Sequence, residues 1–356
     1  MKNKKKINII ETTLRDGSYA VNFSFTAFDT FEICRHLEDA GFEYIEIGHG
    51  AGLNASNAGL GTAVETDEEY MKAAARALKK AKFGMFCIPG IARLEDVDLA
   101  AKYGMGFIRI GTNVTEVEKS EAFIKKAKAL GMFVCANFMK SYALEPKKFA
   151  EKAKLSEKYG ADMVYIVDSA GGMFPEDIKR YYDAIRKVSK IAVGFHAHDN
   201  LSMAVCNNLE SVKMGINFID ASLQGLGRSA GNASTEVLVA VLKKSGYHLN
   251  IDFLKVLEIG QKYINPLIVV KGRPLLDITA GYADFHSSYM HFIQKYSTLY
   301  KVDPAILMME WCKINKVDVD EKKMASLAKR LRKSKELSLG KYGFNRYVTG
   351  EQDVIK

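Results

Sequence analysis

Short apolar runs alternate with longer amphipathic stretches along most of the chain. The runs at 7–10, 44–47, 83–88, 107–110, 132–137, 163–167, 192–196 and 218–221 are mostly continuous in apolar residues, the pattern of strands buried on both faces of a parallel sheet. Between them, a period near 3.6 with charged outer faces predicts helices over 30–40, 67–81, 94–103, 119–130, 146–159 and 175–187. Gly41, Gly131 and Gly160 each follow one of these stretches, where a glycine C-cap is expected. Strands and helices in strict alternation give a parallel sheet, and eight such units predict a closed (β/α)8 barrel, a TIM barrel of the α/β class. An open doubly wound sheet is the alternative. No GxGxxG follows the first run, which counts against a dinucleotide-binding version of it.

After about residue 270 the alternation stops. Residues 275–335 read as helices, one of them starting at Pro304, and the last twenty residues, through 342–345, read as irregular. No Ser/Pro/Gly linker marks the change. The expected organisation is therefore a barrel over 1–270 with a C-terminal helical extension, 271–356, packed on it.

Composition narrows the function classes. Apolar residues make up 48% of the chain and charged residues 26%, as in globular proteins. The basic start, residues 1–6, is followed by only four residues of apolar run, which is no signal peptide, and nothing approaches the ~20 apolar residues of a membrane span. The net charge is +9, but the lysines are spread over helical faces, with only 322–335 dense, so neither nucleic acid nor membrane is expected as a partner. Five cysteines stand without any CxxC spacing, which suits a reducing cytoplasm and no disulfide framework.

The candidate chemistry falls where a barrel places it, at the carboxyl ends of the strands. Arg15 and Asp16 follow the first run, Glu46 and His49 the second, Asp168 and Ser169 the sixth; His196 and His198 end the seventh, and the loop 225–232 follows the eighth. Residues two apart on a strand share a face, so His196 and His198 form a pair of imidazoles. With the Asp16 carboxylate they make a donor set for an open-sided divalent ion. The plainer reading of the pair is two strand histidines satisfied by their neighbours. Asn232 reads equally as a further contact or a cap, Ser169 as a substrate-carboxylate ligand or a helix cap, and His49 as a residue near substrate or a partner of Glu46.

Eight motifs occur in order over roughly residues 7–295: Thr13-Leu14-Arg15-Asp16-Gly17-Ser18, Ile45-Glu46-Ile47-Gly48-His49-Gly50, Pro89-Gly90-Ile91, Tyr159-Gly160-Ala161-Asp162, Val167-Asp168-Ser169-Ala170-Gly171, His196-Ala197-His198-Asp199-Asn200, Asp220-Ala221-Ser222-Leu223, and the loop from Gly225 to Ala233. Together they resemble the metal-dependent pyruvate aldolase and lyase superfamily, and within it the 4-hydroxy-2-oxovalerate (4-hydroxy-2-oxoacid) aldolases. The resemblance implies a carbon–carbon lyase that cleaves or forms a 4-hydroxy-2-oxoacid through a pyruvate enolate. It implies metal ligation by Asp16, His196 and His198, with Mn²⁺ the expected ion and Mg²⁺, Co²⁺ or Zn²⁺ the alternatives. Arg15 would steady the enolate oxygen, and Ser169 and His49 would bind substrate. The substrates would be a small 2-oxoacid and an aldehyde, and the assembly a homo-oligomer. An aldehyde dehydrogenase partner, common in that family, is not assumed, because the C-terminal region departs from theirs.

Two positions depart from the family pattern. Tyr19 stands where the aldolases place the histidine that serves as base, and His286 stands where they carry a tyrosine, so either residue could move the hydroxyl proton. Ala51 replaces a common aspartate, and Arg228 occupies a loop position that is usually small. The competing readings are an acyl-CoA condensing enzyme similar to isopropylmalate or citramalate synthases, without their C-terminal regulatory domain, and a non-catalytic metal-binding relative.

Overall fold

Eight parallel strands close on themselves in the computed structural model, which describes residues 6–268, 274–331, 344 and 347. They are β1 (Asn8–Glu11), β2 (Tyr44–Glu46), β3 (Lys82–Cys87), β4 (Phe107–Asn113), β5 (Phe133–Met139), β6 (Met163–Asp168), β7 (Ala192–Ala197) and β8 (Phe218–Ala221). Each pairs with the next, and β1 closes the ring against β8 through Asn8–Phe218 to Glu11–Ala221. The expected TIM barrel is present, and an open sheet is excluded by this closure.

Helices α1 (Ala27–Asp39), α2 (Asp67–Ala77), α3 (Leu94–Lys102), α4 (Glu121–Ala129), α5 (Pro146–Tyr159), α6 (Pro175–Val188), α7 (Ala204–Met214), α8 (Thr235–Lys244) and α9 (Phe253–Ile259) follow in turn. Their starts are chemically marked. Thr26 caps α1 reciprocally with Asp29, and Pro146 and Pro175 open α5 and α6. The α1 end, Ala40-Gly41, and the α5 end, Tyr159-Gly160, turn through left-handed glycines with φ of 101° and 108°.

Side chains of alternate strand residues point outward onto the helices, as Ile45, Ile108, Val134, Ile166 and Phe195 do in the main core. The other set fills the lumen. Its floor is apolar: Ile10, Phe107, Cys135, Met163, Tyr165 and Phe218 pack together with Tyr44 and Phe133 against them. Large rings fit here because glycines face them. A Cβ at Gly84 would lie 2.4 Å from the Phe107 ring, and one at Gly194 2.5 Å from Tyr165. Above this floor the lumen turns polar, and that layer carries the site.

The C-terminal part adds α10 (Leu275–Ala283), α11 (Met290–Tyr300), α12 (Pro304–Cys312) and α13 (Glu321–Leu331) around an apolar cluster of their own, centred on Leu276, Ile293, Leu307, Trp311 and Met324. Pro304 opens α12 as expected, with Asp303 capping it. Buried Lys140, just past β5, reaches across to this part and donates to the Val317 carbonyl at 2.7 Å. The boundary drawn at 270/271 and the irregular segment read at 342–345, apart from Phe344, lie outside the described residues. No helix among the described residues is long and apolar enough to cross a membrane.

Candidate active site

The turn after β1 is clamped before it presents any chemistry. The Glu11 carboxylate accepts Thr13 N–H at 3.0 Å, the Thr13 hydroxyl at 2.6 Å and Leu223 N–H at 2.9 Å. Burial pushes the Glu11 carboxyl up to about 7. Thr12 N–H donates to Ala221 O at 2.8 Å. With β1 and β8 tied in this way, Arg15 and Asp16 are held over the barrel mouth.

Across the mouth, His196 ends β7 and His198 follows it, with ring centroids 5.2 Å apart and planes at 83°. Ligand atoms of Asp16, His196 and His198 all lie within 4.8 Å of one another, and all three residues are buried. His196 Nδ1 is 2.8 Å from Asp220 Oδ2. An ionised carboxylate there accepts a hydrogen bond from Nδ1–H, which leaves the Nε2 lone pair facing Asp16 Oδ2 at 3.7 Å. Two electron pairs aimed at each other across a dry gap are repulsive unless a cation lies between them. Among the described residues, His198 Nδ1 and Asn232 Oδ1 are buried without a hydrogen-bond partner, and Asn232 Nδ2 donates to Asp16 Oδ2 at 2.6 Å. One carboxylate, two imidazoles and unsatisfied buried acceptors fit a divalent ion.

Protonation states agree with that fit. Burial alone would raise the Asp16 carboxyl, but Arg15, His198 and His196 outweigh it and hold it well below the usual carboxylate range. Burial brings His198 down to about 4 against the opposing pull of Asp16. At neutral pH the site thus offers an anion and a neutral imidazole, the forms a metal needs.

Beneath these ligands runs a chain of buried ion pairs. Arg15 Nη1 donates to Asp16 Oδ1 at 3.0 Å and Arg15 Nε to Glu46 Oε2 at 2.8 Å; Arg109 Nη1 donates to the same Glu46 oxygen at 2.9 Å, and Arg109 Nη2 to Asp220 Oδ2 at 2.5 Å. Asp220 then holds His196, so the chain leaves Asp16 and returns to a second candidate ligand. Arg15 is stacked over Phe86 and Arg109 over Tyr165, 4.9 and 4.4 Å from the ring centres. Burial works against both guanidinium charges; Glu46 and Asp16 overcome it at Arg15, Asp220 and Glu46 at Arg109. Neither Arg109 nor Asp220 is given a role in the sequence reading, although Asp220 opens one of the eight motifs. The one signal was an arginine inside the apolar run Phe107-Ile108-Arg109-Ile110.

Arg15, Asp16, Tyr19, Ser169, His196, His198 and His286 line one cleft. Ser169 Oγ accepts Lys140 N–H at 2.9 Å, so it does not cap the following helix. Tyr19 lies against Gly50, where a Cβ would come within 2.4 Å of its ring. His286 is buried, and its Nδ1 sits 2.6 Å from Ser288 Oγ. Burial, then Lys140 and Arg228, keep its imidazole well below the usual histidine range, hence neutral. His49 is not brought to the cleft. Its Nε2 lies 3.1 Å from Gly61 O, its Nδ1 accepts Ala51 N–H at 3.1 Å, and its ring stacks on Phe23 at 3.9 Å. Asp199 caps α7 through Ala204 N–H, and Asn200 braces Ser229 and Asp277 O.

Comparison with known proteins places the chain. The HMGL-like family model matches residues 6–262. A 4-hydroxy-2-oxovalerate aldolase of Moorella thermoacetica is 43% identical over 310 residues, 86% of this chain and 91% of its own length. One of Carboxydothermus hydrogenoformans is 39% identical over 93% of this chain and 98% of itself. The carboxyl transferase domain of Rhizobium etli pyruvate carboxylase superposes with a TM-score of 0.75 at 17% identity, over 92% of this chain and 60% of that one, a likeness of fold. These findings do not favour the acyl-CoA condensing or non-catalytic readings. The chain belongs to the HMGL-like family, in which it groups with proteins named 4-hydroxy-2-oxovalerate aldolase.

Proposed function

We propose that the protein is a divalent-metal-dependent aldolase that cleaves or forms a 4-hydroxy-2-oxoacid through a pyruvate enolate. The observation that carries this is one carboxylate and two imidazoles with ligand atoms within 4.8 Å, on the wall of a cleft that Arg15 also lines. Asp16, His196 and His198 would hold the ion, with Mn²⁺ the expected species and Mg²⁺, Co²⁺ or Zn²⁺ the alternatives. When bound, it supplies a Lewis acid toward the carbonyl oxygen of the 2-oxoacid.

The chain's own groups do the rest. Arg15 has Nε and Nη1 fixed by Glu46 and Asp16. That leaves Nη2, without a protein acceptor among the described residues, to donate to the oxygen on which enolate charge grows. Because the guanidinium is already oriented, no reorganisation is needed as the charge develops. Ser169, its oxygen occupied by Lys140 N–H, can donate its own hydrogen to the substrate carboxylate. Neutral His286 takes the 4-hydroxyl proton on cleavage and returns it on addition. Both the Ser288 hydroxyl, 2.6 Å away, and the Ser288 N–H, 3.3 Å away, face Nδ1; with Nδ1–H donating to the hydroxyl, Nε2 is left unprotonated to take the proton. Tyr19 orients the aldehyde half, and His49 acts through the loop that seats Gly50 under Tyr19. The same proposal divides the chain at 270/271 and places it, as a homo-oligomer without an assumed dehydrogenase partner, in a reducing cytoplasm, consistent with its free thiols.

Pyruvate release from a panel of 4-hydroxy-2-oxoacids, coupled to NADH oxidation by lactate dehydrogenase, tests this. Activity should vanish in metal-stripped protein, return with Mn²⁺ and stay absent in Asp16→Asn. Full activity in Asp16→Asn, or no pyruvate from any substrate, would sink it.

A further inference from the structure

Asn137 interrupts an apolar wall. It belongs to β5 and lines the candidate cleft with Phe86, Ile88, Met139 and Val167, at 2% exposure. A buried amide costs free energy for each donor or acceptor left unpaired, so both halves of this one need a partner. The oxygen finds its partner in the protein. Arg109 is a donor only, and the amide turns Oδ1 toward it, accepting from Nη2 at 2.9 Å and from Nε at 3.3 Å. Glu46 and Asp220 hold Arg109 in turn, which fixes the amide plane. Among the described residues, every hydrogen bond to the amide in that orientation falls on Oδ1. Nδ2 is the half left for the cleft.

The place of this donor selects what it meets. A hollow of about 550 Å³ adjoins the cleft, and Tyr19 lines both while Asn137 lines only the cleft. The aldehyde half has its room outward, past Tyr19, and Asn137 stays with the 2-oxoacid half. The carbonyl oxygen of a bound 2-oxoacid has its lone pairs taken by the ion and Arg15. Its carboxylate offers about four acceptor sites, and so far only the ion and Ser169 serve them. Ser169 is held on the same side of the cleft by the backbone amide of Lys140, three residues past Asn137.

We propose that Asn137 is a further substrate-binding residue, donating through Nδ2 to the carboxylate of the 2-oxoacid. This deepens the aldolase reading and rests on it. The buried pairs that link the candidate ligands then also aim a donor at the substrate, because the guanidinium that steadies Asp220 steadies the Asn137 amide as well.

The test uses the full chain with Mn²⁺ and begins with deuterium exchange into the pyruvate methyl group, without any aldehyde, which reports enolate formation by itself. Asn137→Asp keeps an oxygen for Arg109 and replaces the donor with a second, negatively charged acceptor. Asn137→Leu removes both contacts. The KM for pyruvate should rise by about 10- to 100-fold in the leucine variant, the scale of one charge-assisted hydrogen bond, and by at least as much in the aspartate variant. In Asn137→Asp the urea midpoint, the affinity for Mn²⁺ and the KM for propionaldehyde in aldol addition should stay within about twofold of the wild-type chain. A KM for pyruvate that stays unmoved in Asn137→Asp shows that the amide serves Arg109 alone, and overturns the inference. So does a parallel loss of Mn²⁺ affinity, which would trace the effect through Asp220 and His196. An equal rise in the KM for propionaldehyde, or a loss confined to kcat, overturns it too. In each of these cases the wild-type exchange leaves the aldolase reading standing. A wild-type chain that exchanges no deuterium overturns that reading, and the inference with it.

Discussion

Asp220→Asn separates holding the metal from touching it. Asp220 would not contact the ion, yet its Oδ2 accepts from both His196 Nδ1, at 2.8 Å, and Arg109 Nη2, at 2.5 Å. The buried chain holds three carboxylates, Asp16, Glu46 and Asp220, against the two guanidinium groups of Arg15 and Arg109. The amide keeps the shape and removes the charge. Arg109, fully buried, is left sharing one Glu46 oxygen with Arg15, and breaking such a buried pair costs about 3–5 kcal/mol. His196 loses the charged acceptor that fixes its tautomer, for which a 10- to 100-fold loss of metal affinity, about 1.4–2.8 kcal/mol, is the usual scale. Titrating apo protein with Mn²⁺ and reading free ion by electron paramagnetic resonance measures the second effect, with Asp16→Asn as the ligand-deleted reference. The urea midpoint at unchanged slope measures the first. A variant that binds Mn²⁺ within about twofold of the wild-type chain would show that Asp220 does not orient His196, and the reasoning would be refuted.

Arg15→Lys, which cannot reach Glu46, Asp16 and substrate together, should lower kcat for pyruvate release by about 100-fold or more; a change under about threefold would remove Arg15 from the chemistry. Because burial, Lys140 and Arg228 hold His286 below its ordinary value, the base stays unprotonated across neutral pH and activity falls only as pH drops through that lowered value. Lys140→Met removes one of the charges that lowers it, so the acid limb of the kcat/KM profile should move to higher pH, and an unmoved limb would exclude His286 as the base. The same depression has a stability consequence. Below about pH 6.5 the unfolded chain binds a proton that the folded His286 refuses, so its contribution to stability is lost as pH falls. His49→Ala should cost about 2–4 kcal/mol in urea unfolding, from its lost stacking on Phe23 and two backbone contacts; a large rise in the KM for pyruvate without that loss would place the ring at the substrate.

The barrel was legible because a strand buried on both faces is written as an apolar run, and its register with its neighbours needs no further code. Boundaries slipped where long-range groups decide them. The α2 prediction ran to 81, but the amides of Lys79, Lys80 and Ala81 turn to the Glu38 carboxylate from α1, and the helix stops at Ala77. The α1 start moved from 30 to Ala27 because the Thr26–Asp29 cap sits before exposed Phe28, which blurs the apolar period. His196 and His198 could be paired from sequence since a strand fixes their common face, and Asp16 followed from the barrel rule. The Glu46–Arg109–Asp220 link could not, because it spans β2, β4 and β8 and exists only once the ring has closed. For the same reason the surroundings of His49, set by Gly61 and Phe23, carry no local mark.

Lys140 ties the end of β5 to the Val317 carbonyl, with its ammonium also 3.3 Å from the Tyr289 hydroxyl. During synthesis the whole barrel sequence emerges before residue 317 does. A nascent chain halted near residue 270 would therefore hold a closed ring of strands with an ammonium still waiting for its carbonyl, beside the backbone amide that orients Ser169. Enzymatic competence should then appear late, as a separate event after the barrel has already become resistant to protease.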